Sequence, residues 1–239
     1  MSKYRFRSLV VAAALSAAMA GSAAADVVWN FSSIAGTQGA LANSNLGGTY
    51  TFNQSGLWVQ ATAVVSNPNW ANSTCTGAAN ATASDPCLFN KVTNGDPIET
   101  GLGLTPNANN EIFNPAGIAL NVTPGQHFSS IEIGSVQSGE SWAVAGCSAS
   151  YSLCTVLDQG LGAGSGSTVT VSNLVTTPYA TYIVYVPCAN SSSCGNGTTD
   201  SSNNLVLMSA TTVPEPGTLA FMAAGLFGLG WMIRRRRAN

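Results

Sequence analysis

Basic side chains are almost missing from the body of this 239-residue sequence. Between residues 26 and 213 the only one is Lys91; the other seven are Lys3, Arg5, Arg7, Arg234, Arg235, Arg236 and Arg237. The same stretch holds nine acids, Asp26, Asp85, Asp96, Glu99, Glu111, Glu132, Glu140, Asp158 and Asp200, so its formal charge is nine minus one, or −8. A surface of that sign repels polyanions and has no basic patch to neutralise phosphates, which argues against nucleic-acid binding. Histidine is scarcer still. His127 is the only one, so a Ser-His-Asp triad has a single imidazole to draw on. The cysteines include no C-x-x-C pair, the usual spacing of a zinc site. Between 26 and 213 no stretch sustains a 3.6-residue apolar period with capping signals, so helices are not expected there. Charged residues make up 8% of the chain, against about a quarter in ordinary soluble domains.

What the chain does have is short apolar runs of β-branched and aromatic residues, separated by turn-rich pieces such as Asn67-Pro-Asn, Asn114-Pro-Ala-Gly and Thr123-Pro-Gly. The runs predict strands at 27–31, 49–52, 57–65, 118–122, 130–136, 142–145, 168–171, 179–186 and 205–210. Nine short strands joined by turns point to an all-β fold, a single antiparallel β-sandwich of jelly-roll type over 26–212. The polar stretches 66–90 and 188–203 read as loops.

The ends have a different character. Residues 1–7 are a short positive region, residues 8–20 are apolar, and Ser22-Ala-Ala-Ala25 offers the small residues that a signal peptidase reads. A signal-peptide helix over 1–25 is therefore expected, with cleavage between Ala25 and Asp26. All six cysteines follow it, at 75, 87, 147, 154, 188 and 194. An even count in an exported chain reads as disulfides, and the spacings suggest the local pairs Cys75–Cys87, Cys147–Cys154 and Cys188–Cys194. Seven Asn-x-Ser/Thr sequons, at Asn30, Asn53, Asn72, Asn80, Asn121, Asn190 and Asn196, follow from the Asn, Ser and Thr content and mark a polar surface.

Residues with chemistry to offer are few. Glu132 and Glu140 flank a candidate hairpin, with Glu132 on the face opposite Ile131 and Ile133. As paired acids they suit a glycan hydrolase, yet the domain has almost no basic partners for such a cleft. Gly139-Glu-Ser-Trp-Ala143 lacks the final glycine of a nucleophile elbow. No catalytic residue is assigned. The segment 94–111 is rich in Asn and acids, and Asp96, Glu99 and Glu111 are the candidate ligands should a Ca²⁺ ion bind; the ordinary role of such residues is in turns. Trp29, Trp58, Trp70 and Trp142 offer faces for sugar stacking; Trp58 and Trp142 are expected in the core and Trp70 in a loop.

The C-terminal stretch starts Val213-Pro214-Glu215-Pro216-Gly217, continues with 15 apolar or small residues over 219–233, and ends with Arg234, Arg235, Arg236 and Arg237. As a helix the apolar run measures about 22 Å, short of the roughly 30 Å hydrocarbon core. The arginines fit a cytoplasmic stop by the positive-inside rule. Motif, short apolar helix (about 218–233) and basic end, in that order, resemble the PEP-CTERM sorting signal. The resemblance implies an exported Gram-negative protein, held transiently in the inner membrane by residues 213–239. An exosortase, an integral-membrane enzyme similar to cysteine proteases, would process it at the motif. The destination implied is the cell surface or the exopolysaccharide matrix. Upstream, Glu99-Thr-Gly-Leu-Gly-Leu104, Asn110-Glu-Ile112, Ser138-Gly-Glu-Ser-Trp142 and Asn204-Leu-Val-Leu-Met208 are loosely similar to β-rich domains that precede such tails. The expectation is a non-enzymatic surface or matrix protein, with a carbohydrate-binding module, calcium-dependent or not, as the alternative.

Overall fold

The computed structural model describes residues 26–31, 43–66, 69–93, 96–106, 109–163, 166–174, 179–187 and 204–215, with single positions at 225 and 228. The chain divides into two compact units, Val28–Thr212 and a second made of Met1–Val27 with Val213–Asn239. The expected signal-peptide helix at 1–25 lies outside the described residues, as does the expected helix at 218–233 apart from the two single positions. Among the described residues no helix is long and apolar enough to cross a membrane.

The larger unit is made of strands. In chain order they are β1 (Val27–Asn30), β2 (Ser44–Gly47), β3 (Thr49–Gln54), β4 (Leu57–Ser66) and β5 (Trp70–Asn72). Next come β6 (Cys87–Lys91), β7 (Gly101–Thr105), β8 (Ala116–Val122), β9 (Gln126–Val136) and β10 (Ser141–Cys147). The last are β11 (Cys154–Leu161), β12 (Ser167–Ser172), β13 (Thr181–Tyr185) and β14 (Val206–Pro214). They form two sheets. One runs β12-β9-β14-β7-β6-β2, with β1 also on β14; the other runs β11-β10-β13-β8-β4-β3, with β5 on β4. The chain changes sheet at every step from β7 to β8 to β9 to β10, and again from β11 through β14.

Between the sheets lies a core set by strand alternation. On β4, Val59, Ala61 and Ala63 are buried, and their antiparallel partners on β8 include Leu120 and Ile118. Tyr182 and Val184 of β13 continue these rows. Aromatic rings join the layers: Phe128 of β9 meets Tyr182 edge-on at 5.4 Å, and Phe31 meets Phe52 at 5.0 Å.

All nine strands expected from the sequence form, most of them longer than the apolar run that marked them. Five others were not expected. β5 and β6 interrupt the stretch read as a loop over 66–90, and β7 lies inside the supposedly turn-rich 94–111. Glu132 and Glu140 do not flank a hairpin: β9 and β10 belong to different sheets, and residues 137–140 carry the chain across. Trp142 is buried as expected, but Trp58 is only half-buried, because Val59 beside it faces the core and alternation turns Trp58 outward.

Candidate functional site

Lys91 does not face water. It is the last residue of β6, opposite Gly101 of β7, and only 13% of its side chain is exposed. Its Nζ donates to Glu99 Oε2 at 2.7 Å and to Glu111 Oε1 at 2.6 Å. Ser135 Oγ lies 2.8 Å from both Glu99 Oε1 and Glu111 Oε1, placed to donate to either. The only Lys or Arg of the domain is thus held by two carboxyl groups, which a hydroxyl braces in turn, the four groups coming from β6, the β6–β7 connection, the segment before β8, and β9.

Local chemistry puts each group there. Asp96 caps the 3-10 turn Pro97–Glu99 by accepting from Ile98 N at 3.1 Å, and Pro97 supplies the fixed φ of a first helical position. Thr93 Oγ1 donates to the Glu99 carbonyl at 3.2 Å, which ties the turn to the end of β6. Glu111 is positioned from the other side. A Cβ at Gly103 would overlap the Asn110 carbonyl, so the segment before β8 crosses directly over β7 only because residue 103 is glycine. Gly134 plays the same part under the Ile98 carbonyl. At Gly134 and Ser135 strand β9 bulges: Ile133 pairs with Val169 and Val136 with Ser167, leaving two residues opposite one. Ser135 takes φ 61°, which is unusual for a residue with a side chain. The bulge aims its hydroxyl at the glutamates.

Burial pushes the Glu111 carboxyl above its ordinary range, only partly offset by the lysine. Burial also acts on Glu99, but hydrogen bonds from Lys91 and Ser135 outweigh it and hold that carboxyl low. The ammonium is disfavoured by burial and favoured more strongly by its two carboxyl partners, so its pKa is raised. Glu140 stands near this group. Its carboxylate accepts from Gln137 N at 2.6 Å and Asn204 N at 3.3 Å, and burial raises its pKa.

The four stretches at 99–104, 110–112, 138–142 and 204–208 therefore converge on one region. Glu99 and Glu111 hold Lys91, Glu140 holds the backbone at Asn204, Ile112 bridges to Leu205, and Leu102 pairs with Leu207. β14 ends at Pro214, and Val213, Pro214 and Glu215 are half-buried.

Residues 212–237 match the PEP-CTERM protein-sorting motif. No curated protein shows a significant match to the chain. The PEP-CTERM segment marks an exported protein sorted by an exosortase-like system. Its first residues, Thr212 to Pro214, are also the last of β14. Pro216 and Arg234–Arg237 lie outside the described residues, as does Ala25; Asp26 is exposed just before β1.

The other candidates upstream of the PEP-CTERM segment occupy separate places. Asp96 caps its turn while Glu99 and Glu111 serve the lysine, and among the described residues no group of three or more His, Cys, Asp or Glu is arranged to hold a metal. Glu132 accepts from Ser209 Oγ at 2.8 Å, facing away from buried Ile131 and Ile133. His127 is the second residue of β9 and half-buried. Trp29 is buried, with Nε1 donating to Thr212 Oγ1 at 3.1 Å. Trp70 begins β5 and meets Tyr185 edge-on at 5.1 Å; with Tyr151 these rings pack over Val64, Ala119, Ala145 and Ile183. Cys75–Cys87 and Cys147–Cys154 are bonded, while Cys188 and Cys194 lie outside the described residues.

Sequence reasoning passed over Asp85. Its carboxylate accepts from the backbone N–H groups of Thr74, Cys75 and Thr76 and from the hydroxyls of Ser73, Thr74 and Thr76, all within 2.8–3.1 Å. The Ser73-Thr-Cys-Thr76 run was the available signal, since successive N–H and O–H donors make an anion nest. The Ser73 hydroxyl, then the Thr76 backbone, hold the carboxyl far below the usual range.

Proposed function

We propose that the protein is a non-enzymatic component of the cell surface or exopolysaccharide matrix. In this reading a signal peptidase removes residues 1–25, the hydrophobic tail holds the chain in the inner membrane, and an exosortase-like enzyme cuts in the Val213–Pro216 region. The β-sandwich is then released as the working part. The observation that carries the reading is the sorting motif at 212–237, which begins in the last strand of the sandwich. The scarcity of basic partners around its acids supports a structural rather than hydrolytic role. Intact mass spectrometry of the extracellular protein tests it. The expected species lacks Arg234–Arg237, and a mature protein that keeps them would refute processing at the motif.

A second reading, a carbohydrate-binding module, draws on Trp70, Tyr185 and Tyr151 gathered on one side of the second sheet, with Tyr151 Oη donating to Asn72 Oδ1 at 2.8 Å. Half-buried rings beside an amide suit sugar C–H faces and hydroxyls. A glycan array probed with the secreted protein, with and without EDTA, tests both the binding and its dependence on a divalent cation. Binding that Trp70→Ala removes would establish this reading, and no binding to any glycan would end it.

A further inference from the structure

We propose that Lys91 and Glu111 condense to an intramolecular amide, so that the mature domain carries an internal covalent cross-link between the end of β6 and the segment before β8. The observations lie in the arrangement itself. One amine touches two carboxyl groups, at 2.6 and 2.7 Å, where a simple ion pair would need only one. The Glu111 carboxyl is 4% exposed, and its Cδ is one bond from the oxygen that Nζ already touches. Such fixed proximity is the kind that raises effective molarity by many orders of magnitude. The three groups have distinct tasks: Lys91 is the nucleophile, Glu111 in its protonated form is the electrophile, and the Glu99 carboxylate is the proton carrier. Ser135, placed by a bulge and an unusual φ, donates to Glu111 Oε1 as that oxygen gains negative charge.

The step balances within the cluster. Glu99 takes one proton from the ammonium, and the free amine adds to Cδ of Glu111. As the tetrahedral centre collapses, Glu99 returns that proton to the departing hydroxyl, which leaves as water. It then accepts the second proton from nitrogen. The C–N bond forms, one C–O bond breaks, nothing is oxidised or reduced, and Glu99 finishes protonated. No metal, cofactor or second protein takes part. Burial of the Glu111 carboxyl, 4% exposed, limits the water that would reverse the step.

The sequence makes the test simple. Lys91 is the only Lys or Arg between residues 26 and 213, so trypsin has a single cutting site in the unfolded mature domain, and an amide on Nζ removes it. The full chain is expressed with its export signals, and the secreted protein is reduced, denatured, weighed and digested. The expected wild-type domain is lighter than its sequence by one water and resists trypsin even when unfolded. Glu99→Gln and Lys91→Arg are expected at full mass, the first now cut after Lys91. A wild-type domain of full mass that trypsin divides after Lys91 would overturn the proposal, and the wild-type reading decides it even if neither variant folds.

Discussion

Two single residues carry structural burdens that substitution should expose. Asp85 collects six donors for one carboxylate, so Asp85→Asn leaves the Thr74–Thr76 loop without its anchor. The expected result is faster amide exchange at Thr74, Cys75 and Thr76 with the rest of the domain unchanged. The pH dependence has a definite sign. A carboxyl held low in the folded state contributes stability that is present above its unfolded pKa and lost as pH falls through the folded value. Because the folded value lies far below the ordinary range, those amides should stay protected through mild acid and be released only in strong acid. Gly103 is constrained by space rather than charge. Gly103→Ala forces a methyl against the Asn110 carbonyl and should cost about 1–3 kcal/mol, read as a lowered thermal midpoint; an unchanged midpoint would mean that the crossing segment moves aside freely.

The same scale shows what the sequence revealed. It flagged Glu99 and Glu111 as notable, but as oxygen donors for a cation from outside. Their actual cation is Lys91, which sequence placed in no strand. The pairing of Cys87-Leu-Phe-Asn-Lys91 with Gly101-Leu-Gly-Leu-Thr105 could not be foreseen, because neither run contains a valine or isoleucine and both carry residues with weak strand preference.

At the level of elements, strands rich in Val, Ile, Tyr and Thr were readable because period-2 alternation reflects one buried face. The missed strands fail that test in different ways. β7 is buried on both faces, so it does not alternate; β11 is a largely exposed edge, with Leu153 just before it and Val156 and Leu161 within it uncovered. β2 contains Asn and Gly, and β5 spans only three residues. The bridges were readable from spacing, and two of them form. Cys147 and Cys154 are direct partners across β10 and β11, so replacing both with serine should cost about 2–3 kcal/mol by the loop-entropy argument and loosen the edge strand first. Non-reducing peptide mapping should recover Cys75–Cys87 and Cys147–Cys154 with Cys188–Cys194 as the third pair. A Cys75–Cys188 peptide would contradict that scheme.

For the whole molecule, the contact between Trp29 and Thr212 spans 183 positions of sequence. The first strand is laid against the last, and the last is also interior to its sheet, between β9 and β7. Contacts that join chain ends form late, because nearly the whole chain must be present before they can be made. A chain emerging from a membrane N-terminus first would therefore hold an unfinished sheet until residue 212 had passed through, just as the sorting motif arrived. Truncation before Leu205 should leave a protease-sensitive chain, whereas truncation after Pro214 should give a resistant domain; equal resistance would show that β14 is dispensable. On the proposed export route, closure of the sandwich would act as a timer, with translocation of the final strand as its last tick.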